Sequence, residues 1–580
     1  MKPVLQSEKK LPVSVKSGFI LSFLALILTA IIGIEIAGDK KKNNLPFIYS
    51  KSVIPPVFLD SGGFYDKEFH LVLKPGSSNS KVYYTTDGTV PGRKAQIYSS
   101  PIPIKISADN ANGISEIPTS PRWKPPLNKV FKGTIVRAIS VTENGSVSKE
   151  VVNTYFVHSK GRDRYSLPVV SLVIDQDDFF GYNKGIYVMG KGYEDKDNYA
   201  KKNIKLNANW WDYPANYKRK GENWERPIHI TFFERESNKG FSSNSGVRIN
   251  GSATRAYSQK SLRIYFNEKY GQESLNYKLF PENPIEDFNQ LILRNSGNDW
   301  DRTMFRDALM HSLLKNTNLD LQDYLPSIVF LNGEFWGIHN IRERFSKDYF
   351  CNKYNFAKEF VQIIDLKDGV QIRESGFGEL ISFVKNNDLS VKENYEHLNT
   401  LMDLENFTDY LIANIYFANT DWPNNNARCW KKLTLTPQPD APLGQDGRWR
   451  WIFFDTDYGF GFTGNPNAYT VNMLNKLSPD NNLGLMFNAL IKNQGFKEKF
   501  INRFNYHLEN TFIPDKVLEK INQMEAVLKP EMQEHIQRWR KPTSMKQWIQ
   551  NVQVLKEFAI NRPNFQKEQL EDFLKENNKK

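Results

Sequence analysis

Asp421 is followed five residues later by Asn426, in the stretch Asn419-Thr420-Asp421-Trp422-Pro423-Asn424-Asn425-Asn426. A carboxylate at the start of a short polar loop is suited to accept the proton of an attacking hydroxyl, and an amide oxygen on the same loop is suited to help hold a divalent cation. Further along, the aromatic run 448–454 delivers Asp455-Thr456-Asp457, with Gly459 and Gly461 close behind. Aspartates at a strand end beside glycines are hard oxygen donors where a phosphate can approach the backbone. Calcium is the competing cation, but the Gly-then-Glu pattern of a helix-loop-helix calcium site does not follow.

A bound phosphate also needs fixed positive charge. Residues 247–255 form a glycine-bearing turn with Arg255 inside it, and Lys260 opens the next strand. Lys260 suits a phosphate contact; the alternative is a solvated strand-edge lysine. Glu343, in Ile341-Arg342-Glu343-Arg344, is expected to pair with Lys260 or with its two arginine neighbours. The eight histidines never fall in a His-x-x-x-His pair and no Gly-x-Ser-x-Gly elbow occurs, so metalloprotease and hydrolase readings lack their residues.

These residues need elements to position them. Residues 57–157 alternate with period two between Gly and Pro punctuation, which predicts a small β-sandwich over 52–158. Beyond residue 165 strands mix with helices. The runs 167–174, 227–233, 247–250 and 261–266 predict an antiparallel sheet, and Asn332-Gly333 between two apolar runs predicts a tight hairpin. Residues 302–315 have helical periodicity, with Asp301 placed as a cap. A helical stripe at 407–418 ends just before Asp421, a hairpin spans 428–454 with an exposed loop at 436–447, and the chain is mostly helical from 483. The fold class is α+β. The aromatic segment 209–224 resembles sugar-binding surfaces in composition, and packing of a long loop is the preferred reading.

The 580-residue chain carries 77 Lys and Arg against 65 Asp and Glu, with 40% apolar residues, so it is globular and has room for more than one core. The basic residues are spread along it and no nucleic-acid motif is present, so nucleic acid is not an expected partner. Cys351 and Cys429 are too few for a disulfide scaffold and read as unlinked thiols. Residues 18–34 carry no charge and are flanked by lysines, which predicts an uncleaved membrane anchor within a 1–43 tail segment. An N-terminal anchor ahead of a long domain places that domain outside the cytoplasm, at the cell envelope or surface.

Asp-x-x-x-x-Asn is the spacing of a protein-kinase catalytic loop, and Asp455 is similar to the magnesium-binding aspartate of kinases. No Gly-x-Gly-x-x-Gly loop exists, which excludes an ordinary protein kinase. From about 167 to about 514 the chain resembles the CotH kinase-like family, through residues 251–266, 293–307, 330–337, 419–426 and 455–461. The resemblance implies an atypical kinase domain, assigned here to 165–575, using ATP with Mg²⁺ or Mn²⁺ to phosphorylate Ser or Thr of protein partners. It implies Asp421 as the catalytic aspartate, Asn426 and Asp455 as metal ligands and Asp457 as their support. Lys260 follows as the nucleotide contact, with Arg255 and Glu343 as further cofactor-binding candidates. Residues 83–91 resemble the β-sandwich module at the C-terminus of chitobiases, which implies a spacer or accessory role. The alternative function is a catalytically silent surface or envelope protein, for adhesion or structure.

Overall fold

The computed structural model describes residues 47–577 except 108–109, 195–208, 239, 368, 437, 439, 463–464 and 466. The apolar run at 18–34 lies outside the described residues, and among the described residues no helix is long and apolar enough to cross a membrane.

The first unit is the expected sandwich. Strands Ser80–Thr85 and Val151–Val157 pair antiparallel on either side of Thr134–Thr142, and Gly63–Tyr65 adds parallel to Val151–Val157. Strict alternation divides Val151–Val157 between two cores. Tyr155 and Val157 pack inside the sandwich with Leu71, Val82 and Ile104. Phe156 points the other way, its ring tilted against that of Phe330 of the second unit with centroids 4.5 Å apart, and the Thr154 hydroxyl meets that of Ser171 at 2.8 Å. The module is therefore fused to its neighbour through a shared core, which goes beyond the role of a spacer.

The second unit begins with seven strands: Val169–Val173, Arg226–Phe233, Ser242–Ile249, Leu262–Tyr265, Gln290–Arg294, Tyr324–Leu331 and Glu334–Glu343. The expected sheet is a closed barrel, because Tyr324–Leu331 returns parallel to Val169–Val173 and leaves no edge. All other pairings around it are antiparallel. The Asn-Gly hairpin is present, with Asn332 at φ 43° and Gly333 at φ 81°, the left-handed pair that a two-residue turn demands.

The helix expected at 302–315 is shorter, Arg306–Leu313, preceded by a 3-10 turn Gly297–Asp301. Asp301 does not cap it. Asp299 does, accepting the Arg306 N–H at 3.1 Å and the Arg306 Nε at 3.0 Å. Met304 at φ 69° breaks the helical path between them.

Beyond the barrel, Val361–Asp365, Arg428–Lys432 and Arg450–Ile452 form a small antiparallel sheet. Helix Leu404–Tyr416 starts at a cap in which Asp403 accepts the Asn406 N–H at 2.9 Å. Four helices follow from Asn482, and Pro514–Trp539 packs back on the barrel, where His535 Nδ1 accepts the Ile338 N–H at 3.0 Å. Cys351 and Cys429 are both free thiols. Trp210 packs between Arg122, 4.4 Å from its ring, and Tyr257.

Candidate active site between barrel and helices

Helix Leu404–Tyr416 ends through Ala418, whose φ of 49° turns the chain abruptly toward the barrel. Trp422, buried and hydrogen-bonded to the Tyr410 hydroxyl at 3.0 Å, pins the following loop to the helix. Asp421 is thereby held at the cavity wall. Its two carboxylate oxygens accept from the side-chain amides of Asn425 and of Asn426, the latter at 2.9 Å. The Asn426 amide nitrogen also donates to the backbone carbonyl of Asp455 at 3.2 Å. One side chain thus ties the two loops together across thirty-four positions of sequence.

Asn426 and Asp455 both have left-handed backbones, at φ 54° and 53°. Asn and Asp tolerate this conformation better than other side chains, yet each instance still costs on the order of 1 kcal/mol. Local preference does not choose it, so packing holds these two residues in place.

Arg294, at the end of a barrel strand, donates to Asp455 at 2.9 Å and to Asp457 at 3.4 Å. Burial works against its charge, but Asp307, Asp455 and Asp457 outweigh burial and raise its pKa. Asp457 is buried, accepts the Asn298 N–H at 2.6 Å and leaves its other oxygen with no hydrogen-bond partner. Burial first, and the neighbouring Asp455 charge second, push its pKa up to about 8. Behind them Asp307 accepts from Arg342 at 2.7 Å and from both the Thr456 N–H and hydroxyl at 2.9 Å. A single carboxylate on helix Arg306–Leu313 therefore fixes the strand carrying Arg342 and the loop carrying Asp455.

These elements enclose a cavity of about 740 Å³ lined by eight arginines and two lysines against two aspartates, Asp421 and Asp455. Of the residues expected here, Asp421, Asn426, Asp455 and Arg255 line it, and Asp457 lies just behind.

Lys260 and Glu343 are not part of it. The Lys260 ammonium is fully buried and donates to the carbonyls of Thr119, at 2.9 Å, and of Tyr257, above the ring of Tyr217 at 4.3 Å. Burial holds its pKa well below the usual lysine value. Glu343 pairs with neither Lys260 nor its arginine neighbours: it accepts from Asn283 and from the Asp323 N–H, both at 3.1 Å. The reason is strand parity. Ser261, Arg263 and Tyr265 face the cavity, as do Arg342 and Arg344, so the alternating residues Lys260 and Glu343 face away.

Arg255 lines the cavity but is spent as a brace, donating to the carbonyls of Gly251, Tyr217, Arg219 and Ile249. The cations that sequence reasoning passed over are Arg294 and Arg263. Arg294 closes its strand directly before the glycine-bearing turn Asn295-Ser296-Gly297-Asn298, a local signal that could have placed it at the cavity.

Among the described residues no three acidic, histidine or cysteine side chains form a cation cage by themselves. The donor set nonetheless fits a hard divalent cation that completes its shell with substrate oxygens. Asp455 lines the cavity with its side chain 41% exposed, and the Asn426 amide sits beside its backbone carbonyl.

A strand-built lobe and a helical lobe meeting at paired aspartates make this a kinase-like domain. Residues 247–566 match the family described as CotH kinase protein, and the chain belongs to that family. Residues 71–155 match the module described as Fn3 associated, which is the sandwich. A comparison with curated proteins finds no match.

Proposed function

We propose that the cavity binds ATP and transfers its terminal phosphoryl group to a serine or threonine hydroxyl of a protein partner. The observation that carries this reading is the convergence of Asp421, Asn426 and Asp455 through one amide, with bonds of 2.9 and 3.2 Å. Asp421 accepts the proton of the attacking hydroxyl and aligns that oxygen with the phosphorus. Asn426 keeps the Asp421 carboxylate and the Asp455 loop in one fixed relation, so no reorganisation is needed during reaction. Arg294, held beside Asp455, supplies fixed positive charge for phosphate oxygens. Asp455 and Asn426 would hold Mg²⁺ or Mn²⁺, with Asp457 behind Asp455, and the bound ion would neutralise charge on the transferring group.

The test uses the full chain with labelled ATP, Mn²⁺ and a Ser-rich protein. Wild type is expected to label itself or the acceptor, and Asp421→Asn and Asp455→Asn to remove labelling while keeping a cooperative melt. Absence of both labelling and any nucleotide-induced rise in melting temperature overturns the kinase reading and leaves a surface scaffold. The reading includes residues 18–34 as an anchor that keeps the domain outside the cytoplasm. Protease added to intact cells should then digest the domain; full protection would place it inside.

A further inference from the structure

At one side of the cavity two half-buried guanidinium groups, Arg263 and Arg344, have no carboxylate in an ion pair among the described residues, and a third, Arg428, has only a partly exposed one. Arg263 donates to the Asn250 amide oxygen at 2.6 Å and the Tyr265 hydroxyl at 3.1 Å, and its buried Nε has no partner. Arg344 donates to the Gln290 amide oxygen at 3.1 Å. Arg428 meets Asp365 at 3.3 Å, a pair more than a third exposed on both sides and so weakly compensating. Burial foremost, with the charges of Arg263 and Arg428 adding to it and Tyr265 and Asp348 opposing, brings Arg344 down to about 10. Arg263 also stands directly across from Arg248 in the strand register, and the carboxylate paired there, Glu225, is taken by Arg248 at 2.6 Å.

The cluster opens outward. Arg344 and Arg428 line both the main cavity and an adjoining groove of about 480 Å³, whose rim carries Lys347 and Lys358. The groove's acids are already engaged, Asp348 by Lys358 and Asp365 by Arg428. Lys367 continues the positive lining from the cavity into a third depression that includes Arg373. The groove continues from the cavity through Arg344 and Arg428, a shape that suits an extended acceptor chain.

We propose that Arg263, Arg344 and Arg428 form an acceptor subsite that selects an acidic peptide, binding carboxylate or phosphoryl groups that flank the target hydroxyl. The proposal rests on the phosphoryl-transfer reading and names its substrate class. A basic acceptor is repelled by the same cations, so discrimination comes from both attraction and repulsion.

The test is nucleotide-free binding of two fluorescent peptides to the full chain, one with a serine flanked by glutamates and one with the same serine flanked by lysines. The acidic peptide is expected to bind roughly tenfold tighter or better, and to weaken as salt rises. Lys347→Glu, an exposed change, and Arg428→Gln should each weaken it roughly tenfold. Lys347→Glu should leave the nucleotide-induced melting shift in place. Equal or tighter binding of the basic peptide, or an unchanged affinity in Lys347→Glu, overturns the proposal. So does loss of nucleotide binding with intact peptide binding in Arg428→Gln, which would assign the guanidinium groups to the nucleotide. Selective acidic-peptide binding without any labelling would instead sink the kinase reading and keep the subsite.

Discussion

One guanidinium nitrogen of Arg294 lies 2.9 Å from the carboxylate of Asp455, so the aspartate that ends the aromatic strand already carries a cation from the barrel. The same nitrogen reaches Asp457 at 3.4 Å. Arg294→Gln leaves two adjacent carboxylates without that charge and is expected to cost about 3 kcal/mol. Urea denaturation reads the loss. Added Mn²⁺ should recover part of it, because a divalent ion replaces the missing cation between the same oxygens.

Gly297 follows in the next turn at φ 61°, where a Cβ would stand 2.4 Å from an Asp457 oxygen and 2.7 Å from the Arg294 guanidinium. Gly221, at φ 92°, would meet nothing within 4 Å. Gly221→Ala should therefore cost only backbone strain, about 1–3 kcal/mol at its φ 92° and ψ 177°. Gly297→Ala should cost at least about 2 kcal/mol more, since Asp457 must move. Melting temperatures of the two variants, compared side by side, check the difference.

Glu343 provides a pH signature. Burial raises it to about 7, against an ordinary value of 4.5. The folded state thus holds a proton that the unfolded state releases between about pH 4.5 and 7, and stability falls as pH rises through that window. The expected loss is on the order of 2–3 kcal/mol, flat above about pH 8. Glu343→Gln, which cannot ionise, should lack this component. Denaturation at pH 5 and pH 8 on both proteins measures it; equal slopes would refute it.

Lys260 separates structure from ligand contact. Lys260→Met strands the Thr119 and Tyr257 carbonyls and should destabilise the chain by about 2 kcal/mol. Because its ammonium points away from the cavity, the nucleotide-induced rise in melting temperature should survive. Loss of that rise in a folded variant would show that Lys260 reaches the phosphates.

Local signals in the sequence determined a good deal of this protein. Asn332-Gly333 specified its turn because few other residue pairs take two consecutive positive φ values. Period-two runs marked the sandwich and barrel strands, since alternation is a property of neighbours along the chain. Asp421, Asn426 and Asp455 were identifiable because each sits at the end of an element whose limits are written locally.

Tertiary structure decided the rest. Barrel closure depends on a parallel contact between Val169–Val173 and Tyr324–Leu331, whose paired residues such as Val169 and Ile328 are 159 positions apart, which no local pattern encodes. Alternation placed Lys260 and Arg263 on opposite faces, but only packing decided which face meets the cavity, and so Arg263 lines it while Lys260 is buried. The sandwich's fusion to the barrel has the same origin. The pattern showed that Phe156 and Tyr155 point opposite ways, and only the assembled molecule supplied Phe330 as the surface that Phe156 covers.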